Sequence, residues 1–245
     1  KNFNRILSDI KVVDNKTYMD GHLKYMSEVI GINNPYMESR VLFNHLPTGS
    51  SYTSSNVYIY AVPKIMNTTS LLPMTTYLNT AQRNLILNSI NDITMIGHQP
   101  VITDAVYMAV SLGLRASGEL ESPDVVENTK LVLTRELGES RDNAAIVDEV
   151  VNIITKYFDN NNVTLGHVID TMVLGQQIQD VRGVENVYTV RKDTGQRTQG
   201  ISLCIWNPIY RDSDVNITTQ NVKLDYFKFP YLHDLTNLVK YVEIE

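Results

Sequence analysis

The spacing of apolar and polar residues changes several times along the chain, which predicts a mixture of strands and helices. Six segments show alternation or a high density of β-branched and aromatic residues, which is typical of strands. They are residues 57–62, a single long run from Pro100 to Leu114, and residues 131–133, 184–191, 201–206 and 222–229. A glycine-containing turn at 192–196 predicts a hairpin between the strands at 184–191 and 201–206.

Apolar residues spaced by three and four predict four helices. The first two cover residues 18–30 and 76–95. The third begins at Asn143 and the fourth at Thr164, and both residues can cap a helix N-terminus. The predicted apolar faces are Ile146, Val150, Ile153 and Tyr157 in the third helix and Leu165, Val168, Ile169, Met172 and Val173 in the fourth.

This order of elements predicts an α+β fold, with helices packed on one face of a mainly antiparallel sheet and a small β-rich extension at the C-terminus. Polar stretches near residues 67–70 and 193–199 give weak boundaries. We therefore divide the sequence into an N-terminal helix with the first strands (1–66), a central α+β domain (67–192) and a β-rich C-terminal extension (193–245).

Charge and cysteine content narrow the classes of partner. The formal net charge of −6 is spread over 245 residues without a basic tail, so we expect neither nucleic-acid nor membrane binding. No apolar run approaches the ~20 residues of a membrane-spanning helix. The single cysteine, Cys204, excludes an intrachain disulfide and fits a reducing compartment such as the cytoplasm. Its apolar neighbours predict that it is buried. The expected partners are proteins.

Motifs for catalysis or metal binding are sparse. Residues 193–195 match the Asp-Thr-Gly triplet of aspartic proteases, but basic neighbours and the glycine favour a hairpin tip. The five histidines show no metal-ligand spacing, and Glu119, Glu121 and Asp124 lack the pattern of a calcium loop. The sequence contains no phosphate-binding loop and no nucleophile elbow. We expect no catalytic residue, no cofactor and no metal site.

Four short segments carry a resemblance to a family of phage proteins. They are VYIYAVPK at 57–64, LNTAQR at 78–83, HQPVI at 98–102 and VRGVENV at 181–187. In this order and spacing they resemble the C-terminal part of the baseplate wedge proteins of contractile-tailed bacteriophages, which are related to the baseplate J-like family. The resemblance spans residues 57–191, somewhat over half of the chain.

The resemblance implies a structural subunit without catalytic residues. Such a subunit self-associates, as a dimer within a ring of wedges around the tail hub, and binds other baseplate wedge subunits. It transmits the rearrangement of the baseplate before the sheath contracts. The implied location is the tail baseplate of the virion, after assembly in the host cytoplasm.

Two segments, residues 184–191 and 226–242, are the predicted interface because their apolar density exceeds the needs of a solvent-facing surface. Removal of the residues after Pro230 is therefore expected to weaken self-association. The predicted interface residues are Val184, Val187, Tyr188, Val190, Tyr226, Phe227, Phe229, Tyr231, Leu235 and Leu238.

Two other functions stay open. A tail-associated module that binds a ligand or glycan predicts a concave site lined by tyrosines or by the only tryptophan, Trp206. An enzyme, such as a hydrolase, needs convergent polar side chains, and no local pattern in the sequence predicts them.

Overall fold

The computed structural model describes residues 3, 6–14, 17–18, 56–64, 77–91, 99–116, 125–127, 129–159, 161–207, 216–218, 221–233 and 237–245. Most of the predicted helix at 18–30 lies outside these residues. Contacts divide the chain into two compact units. The first comprises Lys1–Lys64 and Thr76–Ala105, and the second comprises Ile65–Thr75 and Val106–Glu245.

Within its described residues, the first unit contains a three-stranded sheet and a helix. Its elements are β1 (Leu7–Asp14), β2 (Asn56–Pro63), α1 (Thr80–Asn91) and β3 (Gln99–Asp104). The central strand β2 pairs antiparallel with β1 and parallel with β3. Helix α1 contributes buried Ile86 to a core with Ala61 of β2. The Arg83 guanidinium on α1 donates to both carboxylate oxygens of Asp104, each at 2.5 Å, and so ties the helix to the end of β3.

The second unit contains two four-stranded sheets with further short strands and helices. Its elements are β4 (Val106–Ser111), β5 (Leu114–Ala116), β6 (Val125–Glu127), β7 (Thr129–Arg135), α2 (Asn143–Tyr157), β8 (Val168–Ile169), α3 (Thr171–Gln179), β9 (Val184–Arg191), β10 (Arg197–Gln199), β11 (Leu203–Trp206), β12 (Asn216–Thr218), β13 (Val222–Lys223), β14 (Lys228–Leu232), a 3-10 turn (Leu238–Tyr241) and β15 (Val242–Ile244). The sheet orders are β10-β9-β7-β15, β12-β11-β4-β14, β13-β8 and β5-β6.

The α+β class is confirmed, and several elements agree with their sequence patterns. Strands β2, β7 and β9 and helix α2 cover the segments predicted for them, and α1 is a shorter form of the helix predicted at 76–95. Helix α2 buries Ile146, Val150 and Ile154, with Asp142 rather than Asn143 at its N-cap position. Strand pairing is mainly antiparallel, as predicted, but within the described residues it is divided among several sheets, three of which also contain a parallel pair.

The long strand predicted after Pro100 is wrong, because the chain breaks it into three. Strand β3 pairs with β2, whereas β4 pairs with β11 and β14. A second break follows at Gly113, whose carbonyl accepts the backbone N–H of Thr129 at 3.3 Å. Apolar alternation alone cannot distinguish one strand from successive strands that join different sheets.

The fourth helix begins later than predicted and buries a different face. Gly166 has a φ of +72°, which ends any helix begun at Thr164. Helix α3 starts at Thr171, and the Asp170 carboxylate caps it by accepting the backbone N–H of Val173 at 2.9 Å. The buried face consists of Thr171, Leu174 and Ile178.

Residues 193–245 do not form a separate extension in the structure. Strand β14 pairs in parallel with β4, and β15 pairs in parallel with β7. The hairpin turn after β9 is present, but its partner strand is β10, while β11 belongs to the other four-stranded sheet. The C-terminal residues therefore complete the sheets of the second unit.

Gly113→Ala is expected to destabilise the chain. A Cβ at this position would lie 1.9 Å from Cδ1 of the buried Tyr241 ring, so the ring must shift. Overpacking of this kind costs about 1–3 kcal/mol in the free energy of unfolding, measured by urea denaturation. Gly175→Ala is the control, because its Cβ would meet Ile201 Cγ2 at an ordinary 3.7 Å and alanine favours a helix. Equal stability of Gly113→Ala and the wild type would contradict this packing.

Candidate functional site

Most of the predicted interface residues lie inside the second unit. Tyr188 and Tyr226 are half-buried, and Leu235 lies outside the described residues. The rest are buried by the chain itself: Val184, Val187, Val190, Phe227, Phe229, Tyr231 and Leu238. Side chains that are already covered cannot contribute new area to a contact between chains. Their apolar density reflects the core of the unit.

The truncation after Pro230 is consequently not a test of an interface. It would remove the end of β14, the 3-10 turn and β15, together with buried Tyr231, Tyr241 and Val242. The truncated chain would lose the parallel edge strand β15 from one four-stranded sheet and the end of the parallel edge strand β14 from the other. We expect it to lose the fold of the second unit.

A groove of about 580 Å³ runs between α2 and α3. Helix α2 contributes residues spaced by three and four, and α3 with its C-cap contributes residues spaced by three, so each helix presents one stripe to the groove. The loop between the helices also contributes lining residues. The lining residues are Ile153, Lys156 and Tyr157 from α2, Asn162, His167 and Val168 from the loop and β8, and Gln177 and Asp180 from the second helix.

Tyr157 fixes one end of the groove. Its hydroxyl accepts the backbone N–H of Asp170 at 2.8 Å, which ties the end of α2 to the start of α3. Its ring packs edge-on against Phe158, at 5.0 Å between centroids, and against His167 at 6.1 Å. Burial raises the pKa of Tyr157, so the phenol keeps its proton at neutral pH.

His167 is held in the loop by its backbone. Its N–H donates to the Thr164 carbonyl at 3.1 Å, and its carbonyl accepts the Leu224 N–H at 3.1 Å. Burial lowers the pKa of the imidazole below its usual 6.5, so the ring is neutral at pH 7. A neutral imidazole and a protonated phenol offer hydrogen bonds and ring surface to a bound group.

Exposed apolar side chains lie in β8 and at the start of α3, and one of them, Val168, lines the groove. Val168, Met172 and Val173 have exposed fractions of 47%, 73% and 44%. Val173 lies four residues before Gln177, which places it on the stripe of α3 that lines the groove. Neighbouring apolar residues that remain in water are typical of protein–protein contact surfaces.

Other residues singled out in the sequence have structural roles. Asp193 forms an ion pair with Arg191 at 2.9 Å, and hydrogen bonding to that guanidinium lowers the pKa of its carboxyl. Gly195 has a φ of +66°, so the triplet at 193–195 forms the expected turn. Cys204 is buried. Trp206 is only 3% exposed and packs edge-on against His233, so it offers no platform to a ligand.

Neither the geometry of the described residues nor similarity to known proteins points to a further class of site. Within the described residues, no group of three or more histidine, cysteine or acidic side chains could hold a metal ion. In the same part of the chain, no helix is long and apolar enough to cross a membrane. No protein-family model matches this chain, and no curated protein matches it.

The groove was not predicted from the sequence. Its residues come from two helices and the loop between them, and they form no local motif. The sequence contains one signal that could have indicated these exposed residues, namely Asp170 as an N-cap in place of Thr164. With Asp170 as the cap, Met172 and Val173 lie on the exposed side of α3. A cap at Asp170 gives the helix a different buried face.

The His167 side chain is expected to titrate below 6.5 in NMR spectra of the folded chain. Because folding favours the neutral ring, wild-type stability is unaffected above this pH and decreases as the pH falls below it. His167→Gln removes that dependence. The difference in Tm between the two proteins should therefore be constant above pH 6.5 and change in favour of the variant below it. A difference independent of pH would show that burial does not affect this histidine.

Proposed function

We propose that the chain is a non-catalytic structural subunit of a phage tail baseplate wedge, which associates with copies of itself and with neighbouring wedge subunits. The observation that carries the proposal is a group of three exposed apolar side chains, Val168 of β8 and Met172 and Val173 of α3, which we call the apolar border and of which Val168 lines the α2–α3 groove. The resemblance of residues 57–191 to baseplate wedge proteins supplies the type of assembly.

Backbone pairing and helix capping hold the residues of the apolar border in place. Val168 belongs to β8, which pairs with β13, and Met172 and Val173 lie in a helix turn capped by Asp170. The Tyr157 hydroxyl holds the same Asp170 backbone. Apolar side chains fixed in this way lose little conformational entropy when a partner covers them, which favours association.

The groove offers hydrogen-bonding groups and ring surface to a bound partner. His167 is neutral and Tyr157 keeps its proton. The one cysteine, Cys204, is buried in β11 and is not part of the groove lining. The net charge of −6 favours protein partners over nucleic acid or an anionic membrane. The proposed place of action is the virion baseplate, with assembly in the host cytoplasm and without a cofactor.

A second candidate is a tail-associated module that binds a small ligand or glycan. The groove supports it, because Tyr157 offers a partly buried ring and Asn162 and Gln177 offer amide groups, which are suitable for hydroxyl-rich ligands. The Asn162 amide already donates to the Lys156 carbonyl at 2.5 Å. A glycan would therefore depend on Tyr157 for stacking.

Light scattering over a tenfold dilution range should show a mass above the 27.8 kDa monomer that decreases on dilution. Replacing both Met172 and Val173 by serine should move the mass toward the monomer, because the exposed apolar border is lost. Val239→Ser, at another exposed apolar residue, is the matched control and should leave the mass unchanged. A monomeric wild type at every concentration would contradict self-association.

Immunogold labelling separates the baseplate from other locations. An antibody against the chain should label the baseplate end of contractile tails in phage particles that contain it. Labelling confined to tail fibres, together with binding to a glycan array that Tyr157→Ala abolishes, would favour the second candidate instead.

A further inference from the structure

Leu137 is an unusual surface residue. It lies in the turn between β7 and α2 and is 96% exposed, the highest value among the large apolar side chains in the described part of the chain. The next residue, Gly138, has a φ of +90°, and nothing lies within 4 Å of the position that a Cβ would occupy there. The leucine thus projects from an open, tight turn.

Hydrogen bonds hold the backbone of the turn in place. Arg135 Nη2 donates to the carbonyls of Glu139 and Arg141 at 2.6 and 2.7 Å. The Glu136 N–H donates to the Gly183 carbonyl at 3.0 Å. The Glu139 carboxylate accepts the N–H groups of Ser140 and Arg141, at 2.7 and 2.9 Å, and these bonds brace the base of the turn.

The ordered backbone of the turn favours contact through Leu137. A flexible loop would lose conformational entropy when its apolar tip was buried, but this turn is already ordered, so burying Leu137 carries little such cost. Single exposed leucines are common on protein surfaces. The rigid support and near-complete exposure distinguish this residue, and an aliphatic side chain held in this way can anchor an interface when a pocket receives it.

The α2–α3 groove offers a complementary surface. It presents apolar Ile153 and Val168 and the Tyr157 ring, and its about 580 Å³ can accommodate a leucine side chain. The Lys156 ammonium in the groove forms no ion pair with any residue that the structure describes, and neither does the Glu136 carboxylate beside Leu137. Glu136 and Lys156 carry opposite charges, so they can form an ion pair between two copies, and Asp180 adds one carboxylate to the groove lining.

The two surfaces do not meet within one chain. Leu137 precedes the first turn of α2, whereas Lys156 and Tyr157 lie in its last turn, about 20 Å away at a rise of 1.5 Å per residue. The 96% exposure of Leu137 confirms that the leucine is not inside its own groove. Only a second molecule can join them.

We propose that Leu137 of one copy inserts into the α2–α3 groove of a second copy, with Glu136 of the first beside Lys156 of the second. This inference rests on the proposed self-association and names the contact. Because it joins two different surfaces, the contact is head-to-tail, and repetition closes a ring or extends a filament. It thereby supplies a route to the ring expected of a baseplate subunit.

Complementation between two disabled variants tests the contact. Leu137→Asp retains the groove but loses the leucine, and Val168→Asp retains the leucine but loses the apolar groove wall. Each variant alone should be monomeric, with the dissociation constant raised at least about tenfold. An equimolar mixture should form a heterodimer and nothing larger, because only one productive contact is available. Leu137→Met, which keeps an apolar side chain, should assemble like the wild type.

A charge exchange provides a second measurement that preserves the apolar contact. Glu136→Lys and Lys156→Glu should each weaken association, and the chain that carries both should recover it. Circular dichroism of every variant checks that the fold is retained.

The outcomes separate the two proposals. The contact is supported if the wild type assembles, each single variant is monomeric and the mixture of the two variants forms a heterodimer. If the wild type assembles and neither Leu137→Asp nor the charge reversals weaken that assembly, the proposed contact is wrong. Self-association by another surface would still be supported. A wild type that is monomeric at every concentration overturns both.

Discussion

The second unit depends on the parallel pairing of its last two strands with strands from much earlier in the sequence. Residues 228–232 lie beside residues 106–110, and residues 242–244 lie beside residues 131–133. These pairings bury Phe229, Tyr231 and Val242. Between them, the Tyr241 ring packs where Gly113 has no side chain. Both four-stranded sheets are incomplete until the C-terminus has been placed.

This constraint explains what the sequence could predict and what it could not. Strands β2, β7 and β9 and helix α2 carry local periodicity, so their patterns identified them. The parallel partners of β14 and β15 are non-local, and no pattern in residues 193–245 reveals them. Gly166 redirected the chain from helix into turn through its positive φ, which depends on tertiary contacts with the backbone near Tyr226.

The predicted interface failed for a related reason. High apolar density is shared by cores and by contact surfaces, so the strand Val184–Arg191 could belong to either. The structure assigns most of its apolar side chains to the core. The surface that we propose for partner binding is instead marked by exposed apolar residues, namely Met172 on a capped helix turn and Leu137 on a charged turn. Exposure, which only the fold determines, separates the two cases.

A groove at one end of α2 and a rigid leucine at the other give the molecule two different contact surfaces, which is the physical basis of the proposed assembly. Hydrogen–deuterium exchange at high and low protein concentration tests this most directly. If the contact forms, exchange is slower at high concentration in peptides that cover 136–142 and 153–180 and is unchanged in β9. Identical exchange at both concentrations in a sample that light scattering shows to be associated would contradict it.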